Sequence, residues 1–167
     1  PRLSSSLLNQ KSTRPVITYK SVVQSNDDDF EQWANEAWHE YGVRDIVLVG
    51  SPSQQNNISL PLGDAYKTLV ANNNDFFIGG ITIAERHANK GNEHTKLIEK
   101  HQQGCRFFIS QAIYNAQATI DMLTRYAIEC QQQGLKPQRI ILTFSPCGSE
   151  KTLAFIEWLG VSVPEAT

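Results

Sequence analysis

Five continuous apolar runs, at 15–23, 45–49, 76–83, 105–113 and 139–144, alternate with five stretches of helical periodicity, and this order restricts the fold more than any other feature. The runs are rich in β-branched and aromatic residues and do not alternate with polar ones, so they read as strands covered on both faces, as parallel strands are. The helical stretches are punctuated by glycine. Asn26 or Asp27 can cap a helix whose apolar residues Phe30, Trp33, Ala34, Ala37, Trp38 and Tyr41 share one face, and Gly42 ends it. Its first turn carries three aspartates, which suits the helix dipole. A second helix over 116–133 places Thr119, Met122, Leu123, Tyr126, Ala127 and Cys130 on one face, ahead of Gly134 and Pro137. Further helices are expected over 92–103, 149–159 and 62–72; Gly104 and Gly160 stop the first two. Gly104, Gly134 and Gly160 recur at about the length of a β/α unit, roughly 30 residues, which indicates a parallel sheet with right-handed crossovers.

Two architectures share this order, a doubly wound open sheet and a β/α barrel. The first strand is followed by no glycine-rich phosphate loop, since 15–25 contains no glycine, and this favours the barrel. A complete barrel takes about 250 residues, so 167 correspond to roughly five-eighths of one. The expected fold class is therefore α/β: parallel units of an incomplete TIM-type (β/α)8 barrel, about five strands and five helices in one partial domain, 1–167.

Composition narrows the function. With 40% apolar and 19% charged residues the chain can bury one core. Its net charge of -2 is spread without a basic stripe, so nucleic acid is not an expected partner. No run approaches the roughly 20 apolar residues of a membrane span, and the Ser-rich start has no apolar signal segment. A soluble cytoplasmic protein is expected, with no membrane partner. Cys105, Cys130 and Cys147 are odd in number and widely spaced, favouring neither a disulfide framework nor a zinc site.

In both architectures ligands lie beyond the carboxyl ends of the strands, and those ends are polar here. They supply Thr18 to Ser21, Gly50 to Ser53, Glu85 to His87, Gln111 with Tyr114 and Asn115, and Thr143 with Ser145. Glu85 and His87 can do acid/base work or bind a cofactor's phosphates and hydroxyls, or form a solvated turn. His87 with His94 lacks a third metal ligand at a suitable spacing, so no metal site is expected. Gln111 ends the strongest strand, where its amide can hydrogen-bond a heterocycle or satisfy buried backbone. Lys100 can reach a phosphate or serve the dipole of its helix. Lys20 can form a Schiff base or face solvent. The serines have no G-x-S-x-G context and Cys147 has no evident base, so nucleophilic hydrolysis is not favoured.

The stretches "GGITIAERHANKGNEHTKLIEKHQQGCRFFISQAIYNAQ" and "IILTFSPCGSEKTLAFIEWLGVSVP" bring these ends together in a recognisable order. The landmarks are a Glu-x-His turn after a strand, a helix whose Lys100 precedes Gly104 by four positions, Ser110-Gln111 before an aromatic segment, and a final Leu-Gly-Val-x-Val-Pro. The pattern resembles the methylenetetrahydrofolate reductase family, and more loosely so back to "PVITYKSV" and "DIVLVGSPS". The resemblance implies reduction of 5,10-methylenetetrahydrofolate to 5-methyltetrahydrofolate by NADH or NADPH, usually through FAD. It makes Gln111 the folate-contacting residue and sets His87, Glu93 and Lys100 against the cofactor's ribose and phosphate; from their places at the strand ends Tyr114 joins the substrate-binding set and Glu85, Gly50 and Ser51 the cofactor-binding set. It leaves the catalytic general acid unassigned. Val49-Gly50-Ser51 replaces the family's Arg-Gly-Asp, Thr18 stands near its flavin-contacting His and Ile83 at its stacking Tyr, which argues against tight FAD binding. This is similar to a divergent branch in which NADH passes hydride directly to the folate. The alternative is a non-catalytic folate- or nucleotide-binding barrel domain, and a Schiff-base aldolase built on Lys20 ranks behind both. A small-molecule reduced folate and a possible homo-oligomer complete the expected partners.

Overall fold

The structure, a computed structural model, describes residues 2–23, 25–50, 60–72, 74–158 and 161. Five strands, β1 (Ile17–Ser21), β2 (Asp45–Val49), β3 (Phe77–Thr82), β4 (Phe107–Ala112) and β5 (Arg139–Thr143), form one sheet in the order β1-β2-β3-β4-β5. The described helices are α1 (Arg2–Lys11), α2 (Asp27–His39), α3 (Leu62–Ala71), α4 (Ala84–Lys90), α5 (Glu93–Gln102), α6 (Ala116–Gln132) and α7 (Glu150–Trp158). Spatial order follows chain order without reversal. A doubly wound sheet reverses at a switch point, whereas successive barrel strands always advance in one direction, so the topology is that of TIM-type β/α units.

The chain divides into two compact units, one of Pro1–Gly80 with Gln102–Arg106, the other of Ile81–His101 with Phe107–Thr167. In the first, β1 and β2 pair in parallel from Ile17 opposite Asp45 to Ser21 opposite Val49, and β3 joins with Phe77 opposite Asp45. Asn26 caps α2 as its periodicity predicts, its side-chain oxygen accepting the Asp29 N–H at 2.8 Å. Phe30, Trp33, Ala34 and Ala37 bury one face of α2, and Ala65, Tyr66 and Leu69 one face of α3. Gly104 has φ +104, and a Cβ there would lie 2.6 Å from Val70 Cγ2, so both backbone and space call for glycine.

In the second unit α6 buries Ala118, Thr119, Met122, Tyr126 and Cys130. Phe108 of β4 meets Tyr126 edge to face at 6.2 Å, and the Tyr126 hydroxyl accepts the Gln138 N–H at 3.1 Å, tying the helix to the entry of β5. Thr82 Oγ1 donates to Met122 Sδ at 3.2 Å.

Three expectations need correction. The Ser-rich start forms helix α1, although its residues carry no strong periodic signal; only Ser5 is buried there. Glu85 and His87 do not lie in a solvated turn but in α4, and both are buried. Double-sided burial holds for β2, β3 and β4, whereas β1 and β5 alternate or stand exposed, with Tyr19, Ile141 and Leu142 open to solvent.

Candidate functional site

The carboxyl end of β4 is irregular. β4 and β5 run in step through Phe107 opposite Arg139, Phe108 opposite Ile140 and Ile109 opposite Ile141, but the next pair is Ala112 opposite Thr143. One extra residue of β4 is thus accommodated at Ser110 and Gln111. Ser110 Oγ accepts the Thr143 N–H at 2.8 Å, and Ile113 N–H donates to the Thr143 carbonyl at 3.0 Å, so the ladder closes around the slip. A bulge changes the direction of the side chains that follow it. Here it falls on half-buried Gln111, with half-buried Tyr114 just beyond. The Tyr114 hydroxyl is buried and has no hydrogen-bond partner among the described residues.

Helix α4 sits directly after β3 and ends at Gly91, whose φ of 65° suits the left-handed cap and whose N–H donates to the His87 carbonyl at 2.7 Å. Its first turn carries Glu85, only 1% exposed. The backbone N–H groups of Tyr114 and Asn115, in the loop between β4 and α6, act on the Glu85 carboxyl and favour its charged form, as does its own N–H. Burial nevertheless raises its pKa above the ordinary carboxylate value, with those amides opposing the shift. Oε1 has no partner.

His87 is 6% exposed and packs edge to face on His94 at 5.2 Å. Nδ1 of each ring is buried without a partner among the described residues. Burial, then His94 and Arg125, push the His87 pKa below its ordinary value, while Asp121 and Glu93 act in the other direction. The folded protein therefore favours the neutral ring, and this contribution to stability is complete above the unfolded pKa of about 6.5. It is lost as pH falls from there through the lower folded value. Urea midpoints of the wild type will drop over that interval, and in His87→Gln the drop will shrink; an unchanged slope would show that His87 does not carry it.

Glu93 is fully buried at the start of α5, accepting the Ile83 N–H on Oε1 at 3.1 Å, with Lys96 Nζ 3.7 Å from Oε2. Lys100 Nζ donates to the Ile81 carbonyl at 2.5 Å. Both side chains thus grip the carboxyl end of β3. Glu85, His87, Glu93, Lys100, Gln111 and Tyr114 all belong to the second unit. Gly50 belongs to the first, where a Cβ would make ordinary contact with Leu62 at 3.5 Å, and Ser51 lies outside the described residues. Lys20 turns toward α2: Nζ donates to Ser25 Oγ at 3.2 Å and stands 5.2 Å from the Trp33 ring centre. Sequence reasoning passed over Ser110 and Asn115 as organisers of the site. The Asn115 side chain caps α6 by accepting the Ala118 N–H at 3.0 Å, and an Asn ahead of a periodic stretch signals that role. A serine in a bulge carries no comparable signal.

No family model matches the chain, and no curated protein does. Solved structures do. An uncharacterized protein from Clostridium thermocellum that binds two copies of 5-methyl-5,6,7,8-tetrahydrofolic acid is 36% identical, with a TM-score of 0.85 over 99% of this chain. The chain spans 56% of that protein's length. Oxaloacetate acetylhydrolase matches at TM-score 0.57 with 14% identity, over 99% of this chain and 68% of the other. 2,3-Dimethylmalate lyase, a PEP mutase/isocitrate lyase superfamily member, matches at 0.56 with 14% identity, over 94% and 63%. The last two share the fold alone. These neighbours overturn the resemblance to the methylenetetrahydrofolate reductase family: they are a folate-binding protein and superfamily members of another kind. The geometry shows why the landmarks misled. Glu93 and Lys100 each bond backbone at the end of β3 and Glu85 is buried beside it, so their spacing also follows from building a β/α unit. Among the described residues, no helix is long and apolar enough to cross a membrane.

Proposed function

We propose that this chain is a reduced-folate-binding domain that holds 5-methyltetrahydrofolate without redox chemistry. The observation that carries the reading is the 36% identity, over nearly the whole chain, to a protein that binds that molecule. The site's chemistry supports it. A pterin presents amino and N–H donors beside a carbonyl acceptor on one edge, and the Gln111 carboxamide offers an acceptor and donors to match. The Tyr114 hydroxyl, buried and unpartnered, gains a hydrogen bond if a ligand supplies one. The bulge sets Gln111 apart from the regular ladder at the strand end, where β/α folds bind ligands.

Isothermal titration of the full-length protein with 5-methyltetrahydrofolate tests this. Saturable binding is expected, with the ligand recovered unchanged, and Gln111→Ala is expected to weaken it about tenfold, the worth of one well-placed hydrogen bond. Absence of binding by the wild type would refute the proposal.

A further inference from the structure

A second feature of the same unit has no part in holding the backbone together. Between α4 and α6 lies an open cleft of about 420 Å³, lined by residues that include His87, Gly91, Asn115, Gln117, Asp121 and Arg125. Its size falls within the range of small-molecule sites. Its chemistry is mixed. Arg125 makes no hydrogen bond or ion pair with the described residues, although Asp121 lies one helical turn away. Asp121 is instead held by Gln117, whose Nε2 donates to Oδ1 at 2.9 Å. His87 contributes the edge of a ring that is 6% exposed. A guanidinium unpaired among the described residues, an oriented carboxylate and an imidazole edge in one cleft call for a ligand bearing a carboxylate, an N–H group and an aromatic or amide body.

The position of the cleft narrows the choice. Asn115, on its wall, follows Tyr114 directly and is four residues from Gln111, so the cleft opens beside the proposed pterin position within the same unit. Resting on the folate reading above, we infer that the cleft receives the p-aminobenzoylglutamate end of the reduced folate. Arg125 takes a glutamyl carboxylate through its fork of donors, Asp121 accepts the amide N–H, and the His87 imidazole lies against the p-aminobenzoyl portion. Affinity for the tail and affinity for the pterin are then set by different side chains, Arg125, Asp121 and His87 for the one and Gln111 and Tyr114 for the other.

The test is calorimetric titration of the full-length protein with three probes: 5-methyltetrahydrofolate, a 5-methyltetrahydropterin lacking the tail, and p-aminobenzoylglutamate alone. In the wild type, p-aminobenzoylglutamate is expected to compete with 5-methyltetrahydrofolate. Arg125→Ala is expected to weaken both tail-bearing probes tenfold or more and leave the tail-less pterin unchanged, with partial recovery in Arg125→Lys. Arg125 is exposed on a helix and alanine is a good helix former, so the variant retains its fold, which circular dichroism verifies. If Arg125→Ala binds 5-methyltetrahydrofolate as tightly as the wild type, or loses the tail-less pterin equally, the tail placement is wrong and the folate reading stands. Indifference of the wild type to 5-methyltetrahydrofolate removes both.

Discussion

Phe108→Ala is expected to lower the stability of the protein by about 4 kcal/mol, the cost of truncating a fully enclosed aromatic side chain and leaving a cavity behind it. Phe108 has no exposed surface, and its ring meets Tyr126 edge to face. The loss therefore includes an aromatic pair as well as buried area. Tyr126 is itself buried and its hydroxyl is held by the Gln138 N–H, so little of the cavity can close by collapse. Urea denaturation of the full-length protein measures the effect as a shifted midpoint at unchanged slope. A loss under about 1 kcal/mol would show that the β4–α6 interface repacks easily. The consequence reaches the site, because Phe108 is two residues from Ser110, where β4 leaves its register with β5. A cavity beneath that strand loosens the segment that directs Gln111, so weaker binding of 5-methyltetrahydrofolate is expected to accompany the lost stability.

The strands and the long helices are legible in the sequence for one reason: each buries a continuous face, and burial writes a periodic pattern. Phe30, Trp33, Ala34 and Ala37 announce α2, while Met122, Tyr126 and Cys130 announce α6. Helix α4 escapes because its sequence, AERHANK, has only alanines as apolar residues and is held by polar side chains. The site is less legible than the fold. Gln111 and Tyr114 can be chosen as strand-end residues, but the slip that sets them apart depends on the partner strand, and no single run of residues encodes a register. For Glu85 and His87 the sequence leaves a solvated turn open beside a functional role, because charged and polar groups are usually exposed. Their burial depends on α6 and the Tyr114 loop covering them, a tertiary relation that local sequence does not reveal.

That relation makes Glu85 a second residue whose loss affects stability and site together. Glu85→Ala removes the carboxyl on which the Tyr114 and Asn115 amides act and empties a space almost closed to solvent, at an expected cost of about 3 kcal/mol. Because Tyr114 belongs to the released loop, affinity for 5-methyltetrahydrofolate is expected to fall at least tenfold. Glu85→Gln separates packing from charge: the carboxamide keeps the volume and one acceptor oxygen, and a loss of about 1 kcal/mol is expected. Its effect on pH dependence has a definite sign. The folded carboxyl titrates above its unfolded value, so the folded state binds the proton more tightly. Its contribution to stability is complete below the unfolded pKa of about 4.3 and is lost as pH rises through the folded value. Glu85→Gln abolishes that loss, whereas the His87 contribution, of opposite slope, remains. Measured in the His87→Gln background, stability between pH 4 and pH 6 is expected to decline with rising pH and to become flatter when Glu85→Gln is added. Equal stability of the Ala and Gln variants, or wild-type binding by Glu85→Ala, would show that this carboxyl does not hold the Tyr114 loop.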